Sequence, residues 1–196
     1  MKMLAALLIF PGILCGQVPV DGLLPDSGGS GVPTVQTLAP VAGGAVAAML
    51  AVPEKYGGSI LEISGTGGAP NPKEWVLLAW NAENPGTLRK LVVSGDQLVS
   101  DTPSLSLTQA ERKEVAIAMS SLGIDSGGVW KIAQAYAAAN KLTLGAVDYQ
   151  LTSHANDVPP LWTAVCRDPS GKILGKLVIL ASSGAVQKSP GFKNAP

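Results

Sequence analysis

Two stretches of the chain read as the same β-hairpin written twice, and this internal repeat constrains the fold more than any local motif. In the first copy, strand 74–80 is followed by a Pro-Gly turn and strand 88–93. In the second copy, strand 161–166 is followed by Asp-Pro-Ser-Gly and strand 173–179. The repeat therefore predicts two related pieces of antiparallel sheet.

Trp75 and Trp162 occupy equivalent positions in the two hairpins, and each begins an apolar alternation. Because successive side chains of a strand point to opposite faces, every second residue shares a face with its tryptophan. We expect that face to lie under a helix, with Cys166 buried there and unreactive. The two apolar sets are Trp75, Leu77 and Ala79 in the first copy and Trp162, Ala164 and Cys166 in the second.

Helical signals precede each hairpin. Residues 42–55 are rich in alanine and predict a short helix. A capping box that begins at Thr108 predicts a helix over 108–122. Ser126 is the expected N-cap of a further helix over about 129–140.

These patterns predict an α+β protein of two repeated units, each with one or two helices packed on a four-stranded antiparallel meander. The first unit is expected at 41–103 and the second at 104–188, followed by a C-terminal tail at 189–196. The residues expected to hold the repeat together are Trp75, Trp162, Gly86, Gly171 and Cys166.

The amino terminus predicts export. Lys2 precedes an apolar stretch at 4–14 that is too short to span a bilayer, which indicates a signal peptide over 1–16. Residues 17–40 are rich in Gly, Pro and Ser and predict a flexible linker. A lipid anchor at Cys15 and a buried helix of the mature fold are the two alternatives. The expected location is secreted or periplasmic.

The second copy is a meander that contains a tryptophan, a glycine turn after an aspartate and a closing glycine hairpin. The residues that form this pattern are Trp162, Asp168, Gly171 and the run 177–184. This arrangement is similar to PepSY and PepSY-like domains, and a tandem of such units also resembles the beta-lactamase inhibitor proteins. The first copy matches through Trp75, Gly86, residues 91–93 and Gly95.

These families are exported, non-catalytic modules, and some members bind and inhibit peptidases or beta-lactamases. The resemblance implies a protein- or peptide-binding module, with inhibition of a peptidase or other enzyme as one form of that function. Secreted beta-lactamase inhibitors carry disulfides and an aromatic-rich binding surface. Here, Cys166 is the one cysteine outside the predicted signal, and aromatic residues make up 5% of the chain. The resemblance therefore implies a fold but does not identify a target enzyme.

No constellation of residues predicts catalysis or metal binding, and no cofactor is expected. His154 is the chain's one histidine, whereas a zinc site needs three or four ligands. Cys166 with His154 is the nearest approach to a nucleophile and base, but a mid-strand cysteine on an apolar face argues against it. Residues 65–68 are glycine-rich like a phosphate loop, yet they lack its lysine and its following helix.

The charge balance excludes two classes of partner. Lys and Arg equal Asp and Glu in number, and charged residues make up 14% of the chain. A chain without a basic excess has no electrostatic footprint for nucleic acid or for an anionic membrane surface. No second long apolar run follows the predicted signal, so we expect no membrane insertion of the mature chain. The expected partner is an extracytoplasmic protein or peptide.

Trp80 breaks the symmetry of the repeat, because Arg167 takes its place in the second copy. Trp and Arg are enriched at binding hot spots, and Trp80 lies on the opposite strand face from Trp75. The predicted contact residues are Trp80, Arg89, Arg167 and Lys176. A packing role for Trp80, and a structural envelope or matrix protein without a dedicated ligand, are the alternatives.

Overall fold

The computed structural model describes residues 38–81, 83–84, 86–104, 115–154 and 158–196. The predicted signal peptide, most of the predicted linker and the predicted capping box lie outside these residues. Within the described ranges, no helix has the length and apolar character needed to cross a membrane.

Eight strands and two α-helices form the regular structure of the described ranges. In chain order these elements are α1 (Ala45–Leu50), β1 (Ile60–Gly68), β2 (Glu74–Trp80), β3 (Leu88–Ser94), β4 (Gln97–Ser104), α2 (Ser126–Ala139), β5 (Ala146–Thr152), β6 (Leu161–Arg167), β7 (Ile173–Leu180) and β8 (Val186–Lys188). Glu54–Tyr56 and Met119–Ser121 each form a 3-10 turn.

All eight strands belong to one sheet in the order β4-β3-β2-β1-β5-β6-β7-β8. Every neighbouring pair is antiparallel, so the sheet consists of two meanders that share the β1–β5 ladder. In that ladder Ile63 lies opposite Leu151 and Ser64 lies opposite Gln150. The β1–β5 ladder makes the two meanders one continuous surface.

The prediction of an α+β fold built from two helix-plus-sheet repeats is wrong. The described residues are mainly β, because one sheet dominates and the two helices have only 6 and 14 residues. The helix predicted over 42–55 is confined to α1, and the glycine-rich residues 65–68 belong to β1. The strand-level likeness survives, since β2 and β6 have equivalent places in the sheet order.

The helix predicted over 108–122 accounts for much of this error. Its described part is not helical before the 3-10 turn, and Ala118 is extended. The amide of Val115 donates to the carbonyl of Ser153, and that of Ile117 donates to the carbonyl of Ile60. These bonds tie the segment to neighbouring chain and satisfy backbone groups that a helix would have paired internally.

The core lies between the sheet and the two helices. α1 and α2 contribute to the same cluster of buried apolar side chains, so both helices cover the same side of the sheet. As the two-residue strand period predicts, alternate residues of β2 and β6 point into this cluster and are at most 3% exposed. These residues are Trp75, Leu77, Ala79, Trp162, Ala164 and Cys166.

Three aromatic side chains cross the middle of the core. The ring centroid of Tyr149 lies 5.8 Å from that of Trp75 and 6.2 Å from that of Trp162, within the range of favourable aromatic pairs. β1 makes room for the Tyr149 ring at Gly68, where a Cβ atom would lie 2.6 Å from it. The Tyr149 hydroxyl donates to the carbonyl of Pro70, and burial raises the pKa of this phenol.

The two tryptophans hold the chain at corresponding points. The indole N–H of Trp75 donates to the carbonyl of Gly43 at 2.9 Å, and that of Trp162 donates to the carbonyl of Ile124 at 3.3 Å. Gly43 and Ile124 each directly precede the N-cap residue of a helix. Each tryptophan therefore fixes the entry of one helix onto the sheet.

One carboxylate caps both helices. Oδ1 of Asp125, which is 6% exposed, accepts from the amides of Ser126 at 2.7 Å and Ala45 at 3.0 Å, the first residues of α2 and α1. The amide of Val46 donates to the same oxygen at 3.3 Å. A Cβ atom at Gly44 would lie 2.4 Å from Oδ2. Asp125, and not the expected Ser126, is thus the cap, and it joins two helix N-termini.

The hairpin turns of the two meanders both use glycine where the backbone requires it. Gly86, between β2 and β3, has φ 90°, and Gly171, between β6 and β7, has φ 87°. Side chains other than glycine rarely adopt this left-handed region. The two turns therefore share a left-handed glycine, although the turn between β2 and β3 is two residues longer than the turn between β6 and β7.

The predicted C-terminal tail is docked onto the fold. The amide of Lys176 donates to the carbonyl of Pro190 at 2.9 Å. The Phe192 ring packs edge-on against Tyr136 of α2, with 5.6 Å between ring centroids. The amides of Lys193 and Asn194 donate to the side-chain oxygen of Asn140, the residue that ends α2. The tail thus packs beside β7 and α2.

Asp125→Ala is expected to lower the free energy of unfolding by about 3 kcal/mol, because it removes one cap and leaves buried amides of two helices without an acceptor. Asp125→Asn keeps the accepting oxygen and is expected to cost less. Denaturant unfolding followed by far-ultraviolet circular dichroism measures both changes.

Asp168→Ala is the matched control for the loss of a carboxylate. Asp168 accepts from the amides of Ser170 and Lys172 within one surface turn, and we expect its loss to cost less than about 1 kcal/mol. Equal effects of Asp125→Ala and Asp168→Ala would contradict the role of Asp125 in joining α1 to α2.

Candidate binding face

The side of the sheet opposite α1 and α2 is the candidate functional surface, and we call it the open face. Strand alternation places Val76, Leu78, Val165 and Val178 on it, and all four are only partly buried. A sheet face in contact with water is normally rich in polar side chains. This face instead presents large apolar side chains to solvent.

The apolar residues of the open face form two strips with a polar band between them. The first strip lies on β2 and β3, where Val76 is opposite Val92. The second lies on β6 and β7, where Leu161 is opposite Leu180. The remaining members are Leu78 in the first strip and Val165 and Val178 in the second. The exposed Lys90, opposite Leu78, interrupts the first strip, and Thr163, opposite Val178, interrupts the second.

The polar band follows the two central strands. Glu62 and Ser64 of β1 lie opposite Thr152 and Gln150 of β5. Glu62 also lies opposite Leu78 of β2, and Thr152 lies opposite Leu161 of β6. Each apolar strip therefore directly adjoins the band on one side.

Trp80 lies at the end of the first strip and is partly buried. Its cross-strand neighbour is Leu88, which is 1% exposed, and Leu61 near the same end of β1 is fully buried. Neither leucine belongs to the core cluster under the helices. Trp80 therefore combines a packing role at one end of the open face with a partly accessible indole.

Arg167 and Lys176 lie on the open face near its opposite end. The Nε of Arg167 donates to Asp148 Oδ2 at 2.7 Å, so its charge is paired while the side chain stays one-third exposed. Lys176 is exposed and lies opposite Val165. The strand register separates Trp80 from Arg167 by on the order of 25 Å. The structure does not bring these predicted contacts into one cluster.

Arg89 lies on the other side of the sheet, with Leu91 and Val93. Its guanidinium pairs with the carboxylate of Asp101 at 2.7 Å, and the buried Tyr56 donates to the same carboxylate at 2.9 Å. The hydrogen bond to Asp101 raises the pKa of Arg89. Arg89 therefore supports the edge of the core and is not part of the open face.

Cys166 is fully buried, and the absence of solvent around the thiol raises the pKa of Cys166 to about 12. Its cross-strand neighbour Val147 lies at one end of β5, whereas the exposed His154 lies beyond the other end. The distance along the strand is on the order of 20 Å. Cys166 and His154 thus do not form a nucleophile and base pair.

Across the part of the chain that the structure describes, no three His, Cys, Asp or Glu side chains are close enough to hold a metal ion. The carboxylate oxygen Oδ1 of Asp168 accepts hydrogen bonds from Ser170 and Lys172 within its own turn.

The chain matches no protein-family model, no curated protein and no solved structure. The resemblance to PepSY-like domains and to beta-lactamase inhibitor proteins therefore remains a hypothesis from sequence.

Cys166 is expected to react with a thiol reagent roughly a thousandfold or more slowly in the native protein than in the unfolded chain, because labelling requires opening of the core. Time-resolved mass spectrometry of the labelled protein measures both rates. Replacing Cys15 by serine leaves Cys166 as the one reactive thiol. Equal rates in the two states would show that β6 is not packed under the helices.

Proposed function

We propose that this protein is an exported, non-catalytic module that binds another protein through the open face. The carrying observation is the pair of partly exposed apolar strips on the side of a continuous sheet that faces away from α1 and α2. Large exposed apolar patches that are bordered by polar residues mark interaction sites. The polar band and the charged ends of the open face supply such a border.

The open face supports binding over a passive structural role. Apolar strips that water can reach favour association with another chain. Trp80 and Arg167 lie at the two ends of this face, and both residue types are common in binding hot spots. Inhibition of a peptidase or other enzyme is one form that such binding takes.

The test compares two arginines that have similar ion pairs on opposite sides of the sheet. Arg167→Ala and Leu161→Arg alter the open face and are expected to weaken partner binding at least tenfold, or about 1.4 kcal/mol. Arg89→Ala breaks a similar ion pair on the helix side and is expected to leave partner affinity unchanged.

Partners are captured from the native secreted and envelope fraction, identified by mass spectrometry, and remeasured with purified components. Circular dichroism establishes that each variant is folded. Loss of affinity in the open-face variants alone supports the proposal. Equal affinities for the wild type, Arg167→Ala and Leu161→Arg, or equal losses in Arg89→Ala, would overturn it.

A further inference from the structure

The open face has the size of a stable protein interface. Eight strands at a spacing of about 4.8 Å and strands about 20 Å long give a face on the order of 700–800 Å². A standard protein–protein interface covers about 800 Å² on each partner. One partner of similar size and matching twist would therefore cover most of the open face.

The pattern of the open face is self-complementary. A two-fold axis parallel to the strands and centred on the polar band would place the first apolar strip of one copy over the second strip of the other. In that arrangement Leu78 faces Leu161 and Val92 faces Val178 of the other copy, while the polar bands face each other. Val76 lies over Thr163, and Lys90 lies over Leu180, which the aliphatic stem of Lys90 covers while its ammonium group stays in water. Such an isologous contact buries apolar side chains of both strips in both copies.

Two of the charges on the open face, Glu74 and Lys176, fit the same arrangement. Glu74 and Lys176 are exposed and lie at the same end of the sheet, on β2 and β7. The two-fold axis would bring Glu74 of each copy next to Lys176 of the other. The contact thus gains two pairs of opposite charges at its rim, which favour this register over alternatives.

The edges of the sheet are poorly suited to continue it into a second molecule. β4 is interrupted by a register shift opposite Val92 and Val93 and carries Pro103. β8 has three residues and is followed by Pro190 of the docked tail. A shift in register, a proline and a short strand are all features that discourage edge-to-edge pairing. Association through the open face is therefore favoured over association through an edge.

We propose that a second copy of this chain covers the open face, so that two sheets pack face to face as a symmetric dimer. This inference rests on the proposed function, because it names the partner of the same surface. The two sheets would pack about 10 Å apart with their strands roughly aligned, as in β-sandwiches. The dimer is the form that buries both apolar strips without any other protein.

Charge reversal at the rim tests the register without disturbing the core. Glu74→Lys and Lys176→Glu each place like charges together twice in the dimer, and each is expected to raise its dissociation constant at least tenfold. The double variant restores opposite charges and is expected to return to within a few-fold of the wild type. Sedimentation equilibrium between about 1 and 100 µM measures the dissociation constants.

A second pair of variants tests the apolar contact. Leu78→Glu and Leu161→Lys alone are each expected to be monomeric. Their mixture is expected to form a heterodimer, because one of its two contacts becomes Glu with Lys and the other remains Leu with Leu. Leu50→Glu is the control, since Leu50 is 56% exposed on α1 and lies outside the open face.

A wild type that stays monomeric throughout this concentration range would overturn the dimer. This holds whether the open face is covered by the chain's own N-terminal segment or by another protein. A wild-type dimer that ignores all open-face substitutions would overturn it as well. In either case, a captured partner whose affinity falls in Arg167→Ala but not in Arg89→Ala would leave the proposed binding function standing. The two proposals can therefore fail separately.

Discussion

The antiparallel ladder between β1 and β5 is the contact on which the rest of the structure depends. Each meander is a four-stranded sheet of local hairpins. Such a sheet needs one apolar face that is buried against another element. The ladder joins the two meanders, so one buried surface collects α1 and α2 over both halves. The same ladder places the two apolar strips on the same side of one sheet.

The interior shows how the two halves are kept in place. Tyr149 of β5 contacts Trp75 of the first meander and Trp162 of the second, so the aromatic row crosses the β1–β5 junction. Asp125 repeats this connection at the helix level, because its carboxylate holds the N-termini of α1 and α2 together. Both contacts are buried and span residues far apart in sequence. They make the sheet a single cooperative unit and give the open face a rigid support.

The sequence predicted the features that depend on local patterns. Glycine turns and two-residue alternation gave the hairpins and the buried side of β2 and β6. The same alternation also separates Arg89 from Trp80, since Arg89 shares its strand face with Leu91 and Val93. Applying the period to β3 would have removed Arg89 from the predicted contact set.

The features that depend on distant contacts escaped prediction. Apolar spacing at 115–122 suggested a helix, but the backbone of this segment bonds to Ile60 and Ser153. No local pattern indicates that Gly68 yields space to Tyr149, or that Asp125 caps a helix 80 residues earlier. Whether the two meanders joined was likewise a matter of long-range pairing, and this pairing decides the fold class.

Amide hydrogen exchange across β1 and β5 tests the central claim of one continuous sheet most directly. In a joined sheet the amides of both strands donate to a neighbour on one side or the other. We therefore expect slow exchange over the continuously paired residues, 62–65 of β1 and 149–152 of β5, at rates like those of β2 and β6. If the two meanders were separate, every second amide of β1 and β5 would lack an acceptor and exchange as fast as the outward amides of the edge strand β4. That result would contradict both the continuous sheet and the open face built on it.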